Sequence, residues 1–198
     1  MDVVVLGLVR GGVAVAAEIA RALDAPLDVI VARKLGAPFQ PELAIGAVAR
    51  DASFINHVLI EMSGIPPREV ERITAAAMAE VKRYEERFRG GQPPEPVEGR
   101  IVIVADDGLA TGATAIAATR TLRKRRPERI IFAVPACAPQ SAASLEGEVD
   151  ELVCLTRPYD FHAVGQFYED FAQIQDDEVD ALLHDAHERG IAHARPPR

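Results

Sequence analysis

The sequence predicts an α/β protein built on a doubly wound parallel sheet with helices on both faces. Three observations carry that expectation. Asp2 to Leu8 is an apolar run, Gly12 to Leu23 a helical pattern and Leu27 to Ala32 a second apolar run, which together make a βαβ unit. From Ile101 onward, strands and helices alternate again. With 198 residues and 48% hydrophobic content, the chain can bury one good core and is most simply one domain, 1–198.

Beyond the second strand, Arg33 to Pro38 reads as a charged loop. Glu42 to Ala49 and His57 to Glu61 read as short strands of a hairpin or flap joined through Arg50 to Asn56. Pro66 to about Arg89 is a charged amphipathic helix: proline occupies its first turn, Ala75, Ala76, Ala77 and Ala79 favour helicity, and Gly90-Gly91 ends it. Gln92 to Gly99, rich in proline, is a loop or mobile linker, so 36–99 forms flap, long helix and loop. The core resumes with a β-branched strand at Ile101, a helix (Gly112 to Arg126), a strand (Ile130 to Pro135), a short helix from Pro139 and a strand (Glu151 to Leu155). A last helix covers roughly Asp176 to Arg189, and Gly190 to Arg198 should fray. No internal repeat is present.

The net charge of −8 and pI near 5.2 argue against nucleic acid as a partner. The basic run Arg120 to Arg129 reads as a helix C-terminus complementing the macrodipole before Pro127. Cys137 and Cys154 lie in apolar runs without metal-ligand spacing, so buried free thiols are expected. Val3 to Leu8 is too short and too soon interrupted for a signal segment or a membrane span, and a cytoplasmic location follows as an expectation.

The most informative stretch is Ile101-Val102-Ile103-Val104-Ala105-Asp106-Asp107-Gly108-Leu109-Ala110-Thr111-Gly112-Ala113-Thr114. A buried strand delivers two adjacent carboxylates to its carboxyl end, where ligands sit in open α/β sheets. A small-residue turn then opens a helix. Asp106 and Asp107 can accept hydrogen bonds from a vicinal diol, and the amides of Ala110, Thr111, Gly112, Ala113 and Thr114 suit an anion at the helix N-terminus. A sugar phosphate fits both halves. The plainer alternative is an ordinary turn with Thr111 or Thr114 as N-cap. A second constellation, Gly7-Leu8-Val9-Arg10-Gly11-Gly12, ends the first strand and leads into a helix; it is neither GxGxxG nor a Walker A loop.

Four apolar residues, two acids and a loop closing in Thr-Gly-x-Thr resemble the signature of the type I phosphoribosyltransferases. The resemblance implies that family's doubly wound fold, with 156–198 as a small C-terminal hood and tail. It implies that Asp106 and Asp107 hold the ribose hydroxyls of phosphoribosyl pyrophosphate, and that Ala110 to Thr114 hold its 5-phosphate. Val9, Arg10, Gly11 and Gly12 match the family's pyrophosphate loop, which often carries a strained or cis peptide. Arg33 and Lys34 resemble the Arg-Lys pair of adenine and orotate phosphoribosyltransferases that faces the leaving pyrophosphate. The implied cofactor is Mg²⁺, held mainly by substrate oxygens without direct protein ligands, water linking it to Asp106 or Asp107 where it touches them at all.

Nearly the whole chain resembles one bacterial group of uncharacterised phosphoribosyltransferase-domain proteins, through Val164-Gly165-Gln166-Phe167-Tyr168-Glu169-Asp170-Phe171 and the acidic start of the last helix. Phe161, Phe167, Tyr168 and Phe171 form an aromatic group that reads as a packed hood or as a stacking surface for a base. His184, His187 and His193 sit in a charged helix and tail and read as surface residues rather than a metal cluster. Arg83, Arg87 and Arg89 either close over the site or form a solvated helix face. Hypoxanthine-guanine phosphoribosyltransferases carry Asp where this chain has Ala110, so the acceptor base or amine stays open. Three readings follow. One is transfer of the phosphoribosyl group with release of pyrophosphate, another a non-catalytic regulator that binds phosphoribosyl pyrophosphate or a nucleotide. The third, a hydrolase using Asp106 as nucleophile, lacks the DxD spacing. Partners are small molecules, with a homodimer left open. Relatives resemble one another in an upstream helical segment with an Arg/Asp-rich start, so an uncovered apolar surface near the first strand is expected.

Overall fold

In the computed structural model, which describes residues 2–194, the first half of the chain forms β1 (Val3–Leu8), α1 (Gly11–Leu23), β2 (Leu27–Ile30), β3 (Ala32–Ala37), β4 (Gln40–Ala49), β5 (Ala52–Ile55), α2 (His57–Met62) and α3 (Pro67–Arg89). The second half forms β6 (Ile101–Ala105), α4 (Ala113–Lys124), β7 (Arg129–Ala136), α5 (Pro139–Glu146), β8 (Glu151–Thr156), a 3₁₀ turn at Val164–Phe167 and α6 (Asp176–Ala194). The main sheet is parallel, in the order β2-β1-β6-β7-β8. Strand order reverses between β1 and β6, which makes the crevice beyond their carboxyl ends the topological switch point.

Register makes those ends level. Val3 to Gly7 lie opposite Ile101 to Ala105, which in turn lie opposite Arg129 to Ala133. Alternate side chains point to opposite faces, and both faces are covered. Val4, Leu6, Val102, Val104, Ile130 and Phe132 pack under α4, while Val5 and Ala105 meet Ala16 and Ala20 of α1. Phe132 is fully buried, and truncating it to alanine would cost about 3–5 kcal/mol. The small residues of α1 and α4 let both helices lie close on the strands.

The chain leaves the main sheet earlier than its apolar run suggests. The expected strand Leu27 to Ala32 ends at Ile30, and Ala32 begins β3 of a second, antiparallel sheet in the order β3-β4-β5. Arg33 and Lys34 therefore stand on a strand and not in a loop. The expected strand His57 to Glu61 is instead α2: Asn56 accepts a 3.0 Å hydrogen bond from the Leu59 amide, an N-cap that starts a helical turn. α3 begins after Pro66 and ends at Gly90, whose φ of 54° is a glycine-favoured helix stop. α6 is helical through Ala194; the rest of the tail expected to fray, 195–198, lies outside the described residues.

The two cysteines are paired, which corrects the expectation of free thiols. Cys154 stands on β8 and Cys137 immediately follows β7; parallel pairing of Val134 with Cys154 brings the Cα atoms to 6.4 Å, and the sulfurs form a disulfide. Spacing along the chain could not reveal this, because adjacency comes from strand pairing. The expected uncovered apolar surface is not at β1, where Val4 and Val5 are fully buried. Exposed apolar side chains are scattered instead, among them Leu23 at the end of α1, Met62 at the end of α2 and Leu155 on the edge strand β8. Among the described residues no helix is long and apolar enough to cross a membrane.

Four arginines of the basic run are held in ion pairs, while Lys124 and Arg125 donate to the Asp51 and Glu95 carbonyls. Arg120 pairs with Glu148, Arg123 with Asp150 at 2.8 Å, Arg126 with Glu98 at 2.6 Å and Arg129 with Glu151 at 2.8 Å. Arg89 is a structural anchor: it pairs with Asp28 at 3.2 Å and donates to the Val29 carbonyl at 2.8 Å, its side chain 8% exposed. Arg87 pairs with Asp176 and Asp180 of α6, and Arg83 lies beside Tyr84. Among the described residues no group of three or more His, Cys, Asp and Glu is placed to hold a metal.

Candidate active site

β6 ends at Ala105, so Asp106 and Asp107 emerge at the switch point. The Asp106 amide donates to the Ala133 carbonyl at 3.1 Å, and its carboxylate accepts from the Asp107 amide at 2.9 Å. Part of Asp106 can still be reached from the crevice, yet its carboxyl is enclosed by protein. Burial first, and the neighbouring Asp107 charge second, push it well above the ordinary carboxylate range. Asp107 is also raised by burial, although its hydrogen bond with Asp106 opposes the shift.

The loop after β1 lies against this pair because β1 is paired with β6. The Val9-Arg10 peptide is cis. A Cβ on Gly11 would fall 1.9 Å from Asp107 Oδ2, and one on Gly12 would fall 2.4 Å from the Ala105 carbonyl oxygen. Only glycine permits this approach. Arg10 occupies the N-cap of α1 without a side-chain cap, and Gly112 occupies that of α4 likewise, with φ 75°. The first amides of both helices thus have no side-chain cap, as an anion site requires, although the Val13 amide of α1 already donates to the Arg10 carbonyl at 3.0 Å. This disposes of Thr111 and Thr114 as N-caps.

A cavity of about 600 Å³ joins these groups. Val9, Arg10, Gly11, Arg33, Asp106 and Asp107 line it. Gly12, Lys34 and Ala110 to Thr114 do not. Gly12 is buried beneath β6, Lys34 points outward from β3, and the 110–114 turn lies farther along, Ala110 and Thr111 exposed and Gly112 and Ala113 buried. That turn is held from below: the Leu109 amide donates to Ala136 and the Ala138 amide to Leu109, each at 2.9 Å, and the Ser141 hydroxyl donates to the Ala110 carbonyl.

Three supports join distant segments, so their partners could not be read from the sequence. The Tyr168 hydroxyl donates to the Asp107 carbonyl at 2.7 Å, and Val164 packs on Gly108, so the segment after β8 lies over the end of β6. Burial raises the Tyr168 phenol, with the charge of Asp107 adding to it. The aromatic group is two ring pairs, Phe161 with Phe167 at 5.4 Å and Tyr168 with Phe171 at 5.2 Å, of which Tyr168 and Phe171 line the cavity. Arg10 is 3.5 Å from Asp176 of α6. Arg33 is 3.1 Å from Glu80 of α3 and lies 4.3 Å over the Tyr84 ring. The aromatic run near Tyr168 and the acidic start of the last helix were the only signals of these contacts in the sequence.

Known proteins resemble the chain in sequence and in fold. Residues 1–172 match the phosphoribosyl transferase domain family. A Mycobacterium tuberculosis H37Rv protein, whose name makes it a phosphoribosyl transferase provisionally, is 46% identical over 186 residues, 93% of this chain and 42% of its own length. This chain therefore spans less than half of that relative. A crystal structure of a Thermus thermophilus protein superposes with a TM-score of 0.77 at 38% identity, covering 93% of this chain and 88% of the other. A uracil phosphoribosyltransferase of Rhizobium meliloti is 35% identical over 69 residues, 35% of this chain and 33% of its own length.

Proposed function

The chain belongs to the phosphoribosyl transferase domain family, and we propose that it transfers the 5-phosphoribosyl group of phosphoribosyl pyrophosphate to a base or amine, releasing pyrophosphate. One observation carries this reading: the enclosed Asp106-Asp107 pair shares a cavity with Arg10 and Arg33, at a switch point where two uncapped helix N-termini open. The pair offers acceptors to a ribose diol. Cations and loop amides lie on one side of it for pyrophosphate, and the Gly112 turn lies beyond for the 5-phosphate.

In this reading the 110–114 turn anchors the 5-phosphate, and that remote binding energy orients the anomeric carbon. Asp106 and Asp107 hold the 2- and 3-hydroxyls and favour positive charge on the ring. The bond from the anomeric carbon to pyrophosphate oxygen breaks with its electron pair leaving on pyrophosphate, where Arg10 and Arg33 stabilise the growing charge. The acceptor nitrogen forms the new bond and gives up its proton to solvent. The residues fit Mg²⁺ in a limited way: two adjacent carboxylates without a third protein ligand suit an ion that keeps waters and substrate oxygens. Asp106 or Asp107 would hold it through water, and it would supply charge neutralisation on the leaving group. Tyr168 and Phe171 wall the side where an acceptor would stack.

The test is pyrophosphate release from phosphoribosyl pyrophosphate with Mg²⁺ against a panel of bases and amines. Turnover with one acceptor, lost in Asp106→Asn with Asp107→Asn, is the expected result. Donor binding with no turnover across the panel would make the chain a binding protein, and absence of donor binding would overturn the reading.

A further inference from the structure

We propose that Tyr84 is a positioning residue: its ring holds the Arg33 guanidinium in the orientation needed for a pyrophosphate group, and so helps the site choose pyrophosphate over a single phosphate. The inference rests on the site reading above. Arginine is a long side chain with much rotamer freedom, and a cation left mobile at the mouth of a cavity would have to be ordered by every ligand. Here it is already ordered. Its Cζ lies 4.3 Å over the Tyr84 ring, and its Nε is 3.1 Å from Glu80. Glu80 and Tyr84 are one helical turn apart on α3, so both reach Arg33 from one face.

The two contacts differ in what a ligand does to them. Glu80 is half-exposed and draws on the same guanidinium charge that phosphate oxygens would engage, its oxygen lying 3.1 Å from a buried Nε with which it makes no hydrogen bond. An incoming pyrophosphate competes with it. The ring face of Tyr84 makes no such competition, because a stacked guanidinium keeps its in-plane N–H groups for an anion. Tyr84 is itself braced: its ring is 5.6 Å from that of Phe88, which is buried with Val13, Val29 and Val179 in a cluster on which Val9 of the loop after β1 also packs. The loop after β1 and the ring that holds Arg33 thus rest on one apolar cluster.

Calorimetry with pyrophosphate plus Mg²⁺, and separately with ribose 5-phosphate, tests this in a double-mutant cycle. Tyr84→Leu is expected to weaken pyrophosphate binding about tenfold, to leave ribose 5-phosphate within about twofold, and to have no further effect when Arg33 is already Met. Tyr84→Phe keeps the ring face and is expected to bind as wild type. Glu80→Gln removes the competitor and is expected to bind pyrophosphate at least as well as wild type. Equal loss from Tyr84→Leu in both Arg33 backgrounds, or loss in Tyr84→Phe, would overturn the positioning role while leaving the site reading intact. If Arg33→Met alone leaves pyrophosphate binding unchanged, the pyrophosphate assignment falls as well.

Discussion

The Tyr168 hydroxyl donates a 2.7 Å hydrogen bond to the main-chain carbonyl of Asp107, joining the segment after β8 to the acid pair across 61 residues of sequence. Its oxygen is partly buried, so the bond is not simply exchanged for one to water. Tyr168→Phe is expected to cost about 1 kcal/mol, a fall of roughly 2–4 °C in Tm for a chain of this size. Thermal unfolding checks it. Faster amide exchange should appear in residues 161–174 and not in β1, and an unchanged transition with unchanged exchange would mean that the bond is not formed in solution.

The acid pair sets a pH dependence whose sign follows from burial. Asp106 and Asp107 are raised above the ordinary value of 3.8 in the folded protein. The folded state therefore retains protons that the unfolded chain has released, and their contribution to stability is full below the ordinary value and lost as pH rises through the folded values. Asp106→Asn is expected to be more stable than wild type at neutral pH and to converge with it near pH 3.8. Unfolding midpoints measured from acid to neutral pH decide the matter; a wild type that gains on the variant as pH rises contradicts it.

Gly112 is required by its backbone and not by crowding. Its φ is 75°, while an added Cβ would meet nothing nearer than Ser141 Cβ at 3.6 Å, an ordinary contact. Gly112→Val, β-branched in a left-handed conformation, should cost about 1–3 kcal/mol or shift the turn. Binding of nucleoside monophosphates and of phosphoribosyl pyrophosphate should be lost together, with free pyrophosphate bound within about twofold. Calorimetry with the three ligands reads this, and equal loss of all three would refute separate phosphate subsites.

The Cys137-Cys154 disulfide closes a loop of sequence separation 17. A loop of that length stabilises by about 3 kcal/mol, and Cys137 also pairs with Leu109, at the base of the 110–114 turn. Cys154→Ser is expected to lower Tm by roughly 6–12 °C and to weaken ribose 5-phosphate binding more than pyrophosphate binding. Thiol titration of the unfolded, unreduced protein should find no free thiol; two thiols would dismiss the bridge.

Much of this protein is determined by sequence periodicity. Ile101 to Val104 is β-branched and apolar on both faces, which suits a covered parallel strand, and the acids that follow then emerge at its carboxyl end. Gly11, Gly12 and Gly112 likewise mark places where backbone approaches backbone or turns left-handed, and glycine is legible because no other residue does this cheaply. What periodicity could not decide is pairing between distant segments. Whether His57 to Glu61 extended or coiled depended on the Asn56 cap. Whether Cys137 and Cys154 met depended on the register of β7 with β8. Which carboxylates and rings hold Arg10, Arg33 and Asp107 depended on where α3, α6 and the segment after β8 come to rest. Local pattern reports which face of an element is apolar, but the partner that covers it is chosen by the free energy of the whole packed chain, and that choice belongs to the tertiary structure.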